Sequence, residues 1–261
     1  MADDCLESPI TNEYSLRKRL KMPLIMKALS INKTDKVLDI GCGSGIFSEA
    51  IAKQAKEAYG LDYSKTNILN VRSNYKNLKN LHFVIGDASN MPFKDNYFDA
   101  VLATELIEHI QNDNKFLQEC NRVLKKGGKL IITTPCTNPL VSVDWFRKIG
   151  AGIDMSKDFG HKRPGYTKEE LYSLLKKNKF KIENYEYYDQ FFAEIAWVIT
   201  CMPRSMTNKN WKSGEGQDKI SNTKLFKFYK FIFPLVLLFA QIDVLFKKFR
   251  GHHILVKAIK I

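Results

Sequence analysis

Short apolar runs alternate with helical patterns along most of the chain. The run at 36–40 has the composition of a buried strand, and it ends in a glycine-rich turn that precedes a helical pattern at 46–56. Further strands are predicted at 58–62, 81–86, 97–104, 129–134, 180–188 and in the last ten residues. Strands that alternate with helices predict a doubly wound α/β fold, with ligands bound at the carboxyl ends of the strands.

The remaining helices are placed by apolar spacing and by terminal signals. They are predicted at 12–30, where Pro23 could divide the helix into two segments, and at 64–75, 114–124 and 167–177. Thr167 and Glu170 have the spacing of a capping box. The run Lys125-Lys126-Gly127-Gly128 is predicted to cap the end of the 114–124 helix. A substrate-side loop with a short helix at 143–149 is expected between the fifth strand and Thr167.

The segment between the sixth and seventh strands is long. About 60 residues (189–250) replace a short hairpin loop, a length that predicts structure of its own. Its uncharged stretch, 231–242, is about 12 residues, shorter than the roughly 20 needed to span a bilayer. The segment could cap the site or pack on the core, lie at a membrane surface, or form a homodimer contact. Four parts are thus predicted: a helical cap (1–35), a core (36–188), the insertion (189–250) and the last strand (251–261).

Composition excludes some classes of protein but does not identify the function. A chain of 261 residues with 44% hydrophobic residues is long enough and apolar enough for a globular α/β domain. Its five cysteines contain no C-x-x-C pair, so neither a disulfide framework nor a metal site is predicted. The first residues lack a signal-peptide pattern, and a cytoplasmic location is expected. The net charge of +13 could favour nucleic acid, an anionic membrane or an anionic substrate, or could reflect lysines on solvated faces.

The glycine turn argues against a dinucleotide site. A dinucleotide fingerprint has glycines at its first, third and sixth positions, and here those positions are Gly41, Gly43 and Ile46. The third glycine is displaced to Gly45. An acid, Asp62, ends the second strand roughly 20 residues beyond the glycines, the spacing at which a carboxylate accepts hydrogen bonds from a ribose diol. The alternative for Asp62 is a cap of the following helix.

These residues resemble a known family. Asp39, Gly41, Gly43 and Gly45 match motif I of the class I S-adenosylmethionine-dependent methyltransferases, which have a Rossmann-like seven-stranded sheet with an antiparallel last strand. The resemblance implies that Asp62 binds the ribose, that Tyr63 flanks the adenine, and that Asp87 and Ala88 bind the adenine. The cofactor residues that it implies are Asp39, Gly41, Cys42, Gly43, Gly45, Asp62, Tyr63, Asp87, Ala88, Thr104 and Glu105.

Two further segments resemble the small-molecule branch of this family, which includes ubiquinone- and menaquinone-pathway enzymes. The E-x-x-E-H segment after the fourth strand ends in His109, expected on a helix leaving the strand and interpreted as a general base or a positioning residue. The H-x-R-x-x-Y segment before the capping box suggests that His161 and Arg163 orient an anionic or phenolic acceptor. Cys136 follows the fifth strand, so it is interpreted as a lining residue and not as a nucleophile. The implied substrate-side residues are His109, Cys136, His161, Arg163 and Tyr166.

The resulting hypothesis is methyl transfer from S-adenosylmethionine to a small or lipid-like acceptor, at oxygen, with nitrogen and carbon left open. The product of the cofactor would be S-adenosylhomocysteine. Two alternatives remain at this stage. The first is a nucleic-acid methyltransferase, motivated by the positive charge but lacking an N-P-P-Y-type sequence after the fourth strand. The second is a non-catalytic S-adenosylmethionine-binding module associated with a membrane or a partner.

Overall fold

The sheet has the predicted doubly wound order. The computed structural model describes residues 16–139, 161–189, 191–193, 195–196, 224–246 and 249–261. Within them, seven strands form one sheet in the order β3-β2-β1-β4-β5-β7-β6, mostly parallel with β7 antiparallel. The strands are β1 (Lys36–Ile40), β2 (Glu57–Asp62), β3 (Leu81–Ile85), β4 (Phe98–Thr104), β5 (Leu124–Pro135), β6 (Phe180–Tyr188) and β7 (His253–Lys260).

The helices follow the predicted sequence of elements. They are α1 (Leu16–Leu29), α2 (Ile46–Ala52), α3 (Lys65–Asn74), α4 (Asp113–Val123), α5 (Lys168–Lys177) and α6 (Lys224–Gln241). Two 3₁₀ turns, Ile107–His109 and Ile242–Phe246, are also present, and the described residues 191–193 and 195–196 are helical as well. The capping box that opens α5 is confirmed, since the side chains of Thr167 and Glu170 each accept a hydrogen bond from the other's backbone N–H. The helix predicted at 143–149 lies outside the described residues.

Two local predictions about these helices were wrong. Pro23 lies inside α1, which continues through it as one helix and is not divided. Proline's fixed φ is itself helical, so its ring removes a hydrogen bond without having to end the helix. His109 lies on a 3₁₀ turn of three residues and not on a regular helix after β4.

The lysine-glycine run after α4 is a bulge and not a helix cap. Leu124 is already extended, with ψ 142°, and β5 begins there. Leu124 pairs with Phe98 and Lys129 pairs with Ala100, so the residues 125–128 bulge out of the ladder. A Cβ on Gly128 would lie 2.8 Å from the Lys125 carbonyl oxygen within the bulge and 3.2 Å from the Asp99 carbonyl oxygen on β4. The bulge itself therefore requires glycine at this position, and the pairing with β4 that creates the bulge is not visible in the local sequence.

The register of the central strands aligns their carboxyl ends. Ile40 at the end of β1 pairs with Leu61 of β2 on one side and with Ala103 of β4 on the other. Asp62, the last residue of β2, pairs with Ile85, the last residue of β3. Since these strands are parallel, the turns that follow β1, β2, β3 and β4 leave the sheet at one edge. This edge is where a doubly wound sheet binds ligands.

The chain divides into two compact units. The core unit contains Leu24–Pro135, Gly165–Glu186 and Leu255–Ile261; the second unit contains Met1–Pro23, Cys136–Pro164 and Tyr187–Ile254. In the second unit, Asp243 lies in the 3₁₀ turn after α6, and its carboxylate accepts hydrogen bonds from the backbone N–H groups of Phe192 (2.9 Å) and Ala193 (2.8 Å). This acid therefore fixes the end of α6 to the helical residues 191–193.

Candidate S-adenosylmethionine site

The glycine turn after β1 is anchored to the end of β2. The amides of Gly41 and Cys42 both donate to the carbonyl oxygen of Leu61, at 2.7 and 3.0 Å. The amide of Gly45 donates to the carbonyl of Cys42 at 2.8 Å, and Gly45 is the N-cap of α2. Gly41, Gly43 and Gly45 have φ values of +71°, +47° and +76°, which favour glycine at all three positions.

Gly43 differs from the other two glycines in what surrounds it. A Cβ on Gly41 would meet the side chain of Leu106 at 3.0 Å, and one on Gly45 would meet Tyr75 at 2.8 Å. A Cβ on Gly43 would meet nothing closer than the Gly41 carbonyl oxygen at 4.0 Å. Gly41 and Gly45 are thus closely packed by protein, whereas Gly43 faces open space. A ligand can reach the main chain at Gly43 only because no side chain is present.

Asp62 connects the glycine turn to the start of α3. Its Oδ2 accepts a hydrogen bond from the amide of Gly43 at 3.0 Å, and its Oδ1 accepts one from the amide of Ser64 at 2.8 Å. The N-cap of α3 is Ser64, whose hydroxyl accepts from the amide of Asn67. The alternative interpretation of Asp62 as the helix cap was therefore wrong. A buried carboxylate that holds the glycine turn in place suits a ligand-binding role.

Asp39 is a buried carboxylate directly below the turn. It is 1% exposed, and its Oδ2 accepts a hydrogen bond from the Ser48 hydroxyl at 2.6 Å. Its Oδ1 has no hydrogen-bond partner among the described residues. The pKa of Asp39 is raised to about 7, mainly by burial and also by the nearby charge of Asp62, against the lowering effect of the Ser48 hydrogen bond. A cationic ligand group would stabilise the charged form.

The exit of β3 is bonded to the exit of β2. The amide of Gly86 donates to the carbonyl of Asp62 at 3.0 Å, and the Asp87 carboxylate accepts from the amide of Ser89 at 2.7 Å. Asp87 is exposed, whereas the next residue, Ala88, is buried. Arg122, on α4, supports the segment that follows by donating to the carbonyl oxygens of Met91 and Phe93. The acid and the amide at 87–88 thus sit on a fixed loop at the ligand edge.

Two carboxylates at the exit of β4 are held by consecutive threonines of β5. The Thr133 hydroxyl donates to Glu105 at 2.8 Å, and the Thr134 hydroxyl donates to Glu108 at 3.1 Å. Both glutamates are buried, and Glu105 has a φ of +48°, a rare conformation for a residue with a side chain. Sequence reasoning placed Glu105 at the site but assigned no role to Glu108, whose only signal was its three-residue spacing from Glu105.

Two sequence-predicted residues of the core unit each make a local hydrogen bond. His109 is half-buried, and its amide donates to the carbonyl of Leu106. Tyr166 is buried, and its hydroxyl donates to Asp113 at the start of α4 across 3.1 Å. The preceding Gly165 has a φ of +132° and lies against the main chain of Pro135, where a Cβ would clash. Thr104, the last residue of β4, is half-buried, and Tyr63 is 59% exposed.

The remaining predicted residues belong to the second unit. The amide of Cys136 donates to the carbonyl of His252 at 2.7 Å, and the buried thiol donates to Asn138 at 3.4 Å. His161 and Arg163 are both half-buried. The structure therefore gathers the predicted cofactor residues on the core unit, while three of the predicted substrate-side residues lie on the other unit.

Comparison with known proteins decides the family. The family described as "Methyltransferase domain" matches residues 38–132. A demethylmenaquinone methyltransferase from Staphylococcus aureus (strain JH9) is 31% identical over 206 residues, which are 77% of this chain and 83% of that protein. The chain belongs to the S-adenosylmethionine-dependent methyltransferases. The predicted resemblance to the class I family is thereby confirmed.

Two further likenesses extend over most of the methyltransferase chain. A ubiquinone biosynthesis O-methyltransferase from Pelagibacter ubique is 29% identical over 202 residues, which are 74% of this chain and 83% of that protein. The crystal structure of a geranyl diphosphate C-methyltransferase from Streptomyces coelicolor superimposes with a TM-score of 0.60 at 14% identity, over 92% of this chain and 77% of that one. The structural likeness shows the fold. Other curated relatives match over shorter stretches, and the chain spans only 35% to 46% of their length.

The residues of the site fit the cofactor of this family, S-adenosylmethionine. Asp39 offers a buried carboxylate oxygen without a partner among the described residues, and this oxygen suits a cationic group of the cofactor. Gly43 offers main chain that a ligand can approach. In the part of the chain that the structure describes, no helix is both long and apolar enough to cross a bilayer.

Proposed function

We propose that this protein transfers a methyl group from S-adenosylmethionine to an oxygen atom of a small or lipid-like acceptor. The observation that carries the proposal is the bond between the Gly43 amide and the Asp62 carboxylate, beside open space at Gly43. This bond joins two motifs 19 positions apart into one surface at the ligand edge of the sheet. A dinucleotide site would need a glycine in place of Ile46.

The cofactor residues have separable roles in this proposal. Asp62 binds the ribose hydroxyls, and Tyr63, exposed beside it, flanks the adenine. Asp87 accepts from the exocyclic amine of the adenine, and the amide of Ala88 donates to the ring. The position of the Gly86 amide against Asp62 supports this arrangement, because it keeps the ribose and adenine residues on adjoining turns.

The methionine end of the cofactor has a second set of residues. Asp39 stabilises the cationic ammonium group, and the main chain of Gly41, Cys42, Gly43 and Gly45 borders the carboxylate end near the start of α2. Thr104 and Glu105 contribute main-chain contacts at the exit of β4. The φ of +48° at Glu105, enforced by its bonds to Thr133, supports a role in setting the shape of this turn.

The protein's part in the chemistry is alignment and removal of one proton. S-adenosylmethionine supplies a methyl group already activated by its positive sulfur. The chain has to hold the acceptor oxygen in line with that methyl and exclude water. His109 accepts the proton of the acceptor hydroxyl as the O–C bond forms and the C–S bond breaks, and it then releases the proton to water. His161 and Arg163 are proposed, on sequence alone, to orient the acceptor, and Cys136 and Tyr166 to border it.

The choice of oxygen and of a lipid-like acceptor is supported by the relatives. The Pelagibacter relative is named for O-methylation in ubiquinone biosynthesis, and the Staphylococcus relative for methylation of demethylmenaquinone. Both share more than two thirds of their length with this chain. Methylation at carbon is an outcome that the assay must be able to report.

The test is a mass-shift assay with the full chain. Purified protein is incubated with methyl-deuterated S-adenosylmethionine and a panel of phenols, catechols and quinols with and without prenyl tails. The proposal predicts that the acceptor gains the mass of one labelled methyl group. Fragmentation in the mass spectrometer should place that group on oxygen. A label on ring carbon would overturn the oxygen assignment, and transfer only to added RNA would overturn the acceptor class. Binding of NAD without binding of S-adenosylmethionine, measured by calorimetry, would overturn the whole assignment.

A further inference from the structure

Helix α6 and the turn that follows it expose a continuous apolar stripe. Its side chains are spaced alternately by three and four residues, so they lie on one helix face. Several are far more exposed than a buried core would allow: Phe231 is 81% exposed, Leu235 67% and Leu245 79%. We name this surface the α6 stripe; its members are Phe228, Phe231, Leu235, Leu238, Ile242 and Leu245.

The opposite side of the same helix is buried, so the stripe is the outward face of a fixed element. Phe233 and Ala240 are 6% and 1% exposed, and Asp243 is 6% exposed. Phe239 contacts Phe192 edge to face, with ring centroids 5.1 Å apart. Together with the hydrogen bonds from Phe192 and Ala193 to Asp243, these contacts determine which face of α6 is turned outward.

The charges around the stripe have one sign. Between residues 224 and 250 the sequence contains six basic residues and a single acid. That acid is Asp243, which is buried and whose carboxylate accepts hydrogen bonds from two backbone N–H groups. In the sequence, three of the basic residues lie at 224–230, where the stripe begins, and three follow it at 247–250: Lys224, Lys227, Lys230, Lys247, Lys248 and Arg250.

We propose that the α6 stripe binds the surface of an anionic lipid bilayer, with α6 lying in the plane of the interface. Apolar side chains enter the boundary between headgroups and acyl chains, and the basic ends contact anionic headgroups. A second copy of the chain fits this surface less well. Both ends of the stripe are basic, so either a parallel or an antiparallel pairing of two copies brings like charges together. Among the described residues, no helix, α6 included, is long and apolar enough to cross the bilayer.

Binding of the full-length protein to vesicles tests this proposal. Phosphatidylcholine vesicles with and without added phosphatidylglycerol, an anionic lipid, are floated through a density gradient. We expect at least tenfold stronger binding to the anionic vesicles, reduced several-fold at 0.5 M NaCl, because the screening length falls well below the roughly 10 Å that holds at 0.1 M salt. Equal binding to both vesicle types, or no binding to either, would overturn the proposal.

Variants separate the stripe from the rest of the surface. The double variant Phe231→Ser/Leu235→Ser should reduce vesicle binding at least tenfold while its affinity for S-adenosylmethionine stays unchanged, which also shows that it folds. Leu69→Ser is the matched control, because Leu69 is a leucine of similar exposure, 52%, that lies on α3 of the core unit and does not belong to the α6 stripe. Loss of binding in the control alone would contradict the assignment. So would a stripe variant that converts a dimer to a monomer, by sedimentation, without changing vesicle binding.

Discussion

The amide of Gly43 and the carboxylate of Asp62 are joined by a 3.0 Å hydrogen bond, which links the turn after β1 to the last residue of the adjacent parallel strand β2. The carboxylate thereby does two things at once. It fixes the conformation of the glycine turn, and its other oxygen fixes the amide of Ser64 at the start of α3. The shape of the proposed cofactor site is therefore set before any ligand binds, which is the condition for tight binding at low entropic cost.

Gly43→Ala should weaken binding of S-adenosylmethionine at least tenfold while the protein stays folded. The added Cβ meets open space, so it occupies room that the ligand needs, and it adds about 1–2 kcal/mol of backbone strain at positive φ. Gly127→Ala is the matched control, since Gly127 also has a positive φ with nothing near its Cβ but lies in the β5 bulge. Calorimetry and thermal melting measure both effects. Equal loss of affinity in the two variants would mean that strain, and not ligand contact, is responsible.

Asp62→Ala should abolish binding of S-adenosylmethionine, because the ribose hydroxyls lose their acceptor and the Gly43 amide loses its partner. Ser64→Ala is the informative comparison. It removes the N-cap of α3, which should cost about 0.5–2 kcal/mol of unfolding free energy, but it leaves the carboxylate in place. Retained affinity in Asp62→Ala, or a parallel loss of affinity in Ser64→Ala, would show that the acid acts only through the helix.

Binding of S-adenosylmethionine should weaken as the pH falls below about 7, the value to which burial raises the pKa of Asp39. The cationic ligand binds the deprotonated form, so binding releases a proton in that range, which calorimetry in buffers of different ionisation enthalpy detects. Ser48→Ala should move the midpoint to higher pH, since the lost hydrogen bond favoured the charged form. Asp39→Asn should remove the pH dependence and bind weakly throughout. A pH-independent affinity in the wild-type protein would contradict the role of Asp39.

The same raised pKa predicts how the ligand-free protein responds to pH. Between the ordinary value of 3.8 and about 7, the native state holds a proton that the unfolded chain has released. Stability should therefore fall as the pH rises through this window, by an amount on the order of a few kcal/mol. Asp39→Asn should flatten this part of the profile and be the more stable protein at pH 8, which denaturant titration at several pH values measures.

His109→Gln should lower kcat by about 10²–10⁴-fold, the usual contribution of a general base. Affinity for S-adenosylmethionine should stay within twofold, since no proposed cofactor contact is removed. The pH–rate profile distinguishes the two roles that the sequence suggested for His109. If His109 is the base, the variant loses the rising limb of the profile; if His109 only positions the acceptor, the variant has a lower rate by the same factor at every pH. His161→Gln, assayed beside it, shows whether the second histidine shares the task.

The sequence predicted the strands, the glycine turn and the acids after each strand because those signals are local. An apolar run followed by glycines and then by a helical pattern, as at 37–45 and in α2, is compatible with few structures other than a strand, a tight turn and a helix. The failures had tertiary causes. Gly127 and Gly128 resemble a helix cap in sequence, and only the approach of β4 shows that they form a bulge. The hydrogen bond that places Glu108 at the exit of β4 comes from Thr134 on β5, 26 positions away in the sequence, so local sequence could not reveal it.

The order of the strands also has a consequence for how the protein folds. β7 lies between β5 and β6, although the residues 189–252 separate it from β6 along the chain. β5 and β6 therefore do not pair with each other. Both pair with β7, which is the last strand in the sequence. The β1–β5 half of the sheet pairs through closer neighbours in sequence. We expect that half to form first and the closing strand to set the slow step, as the cost of long-range pairing requires.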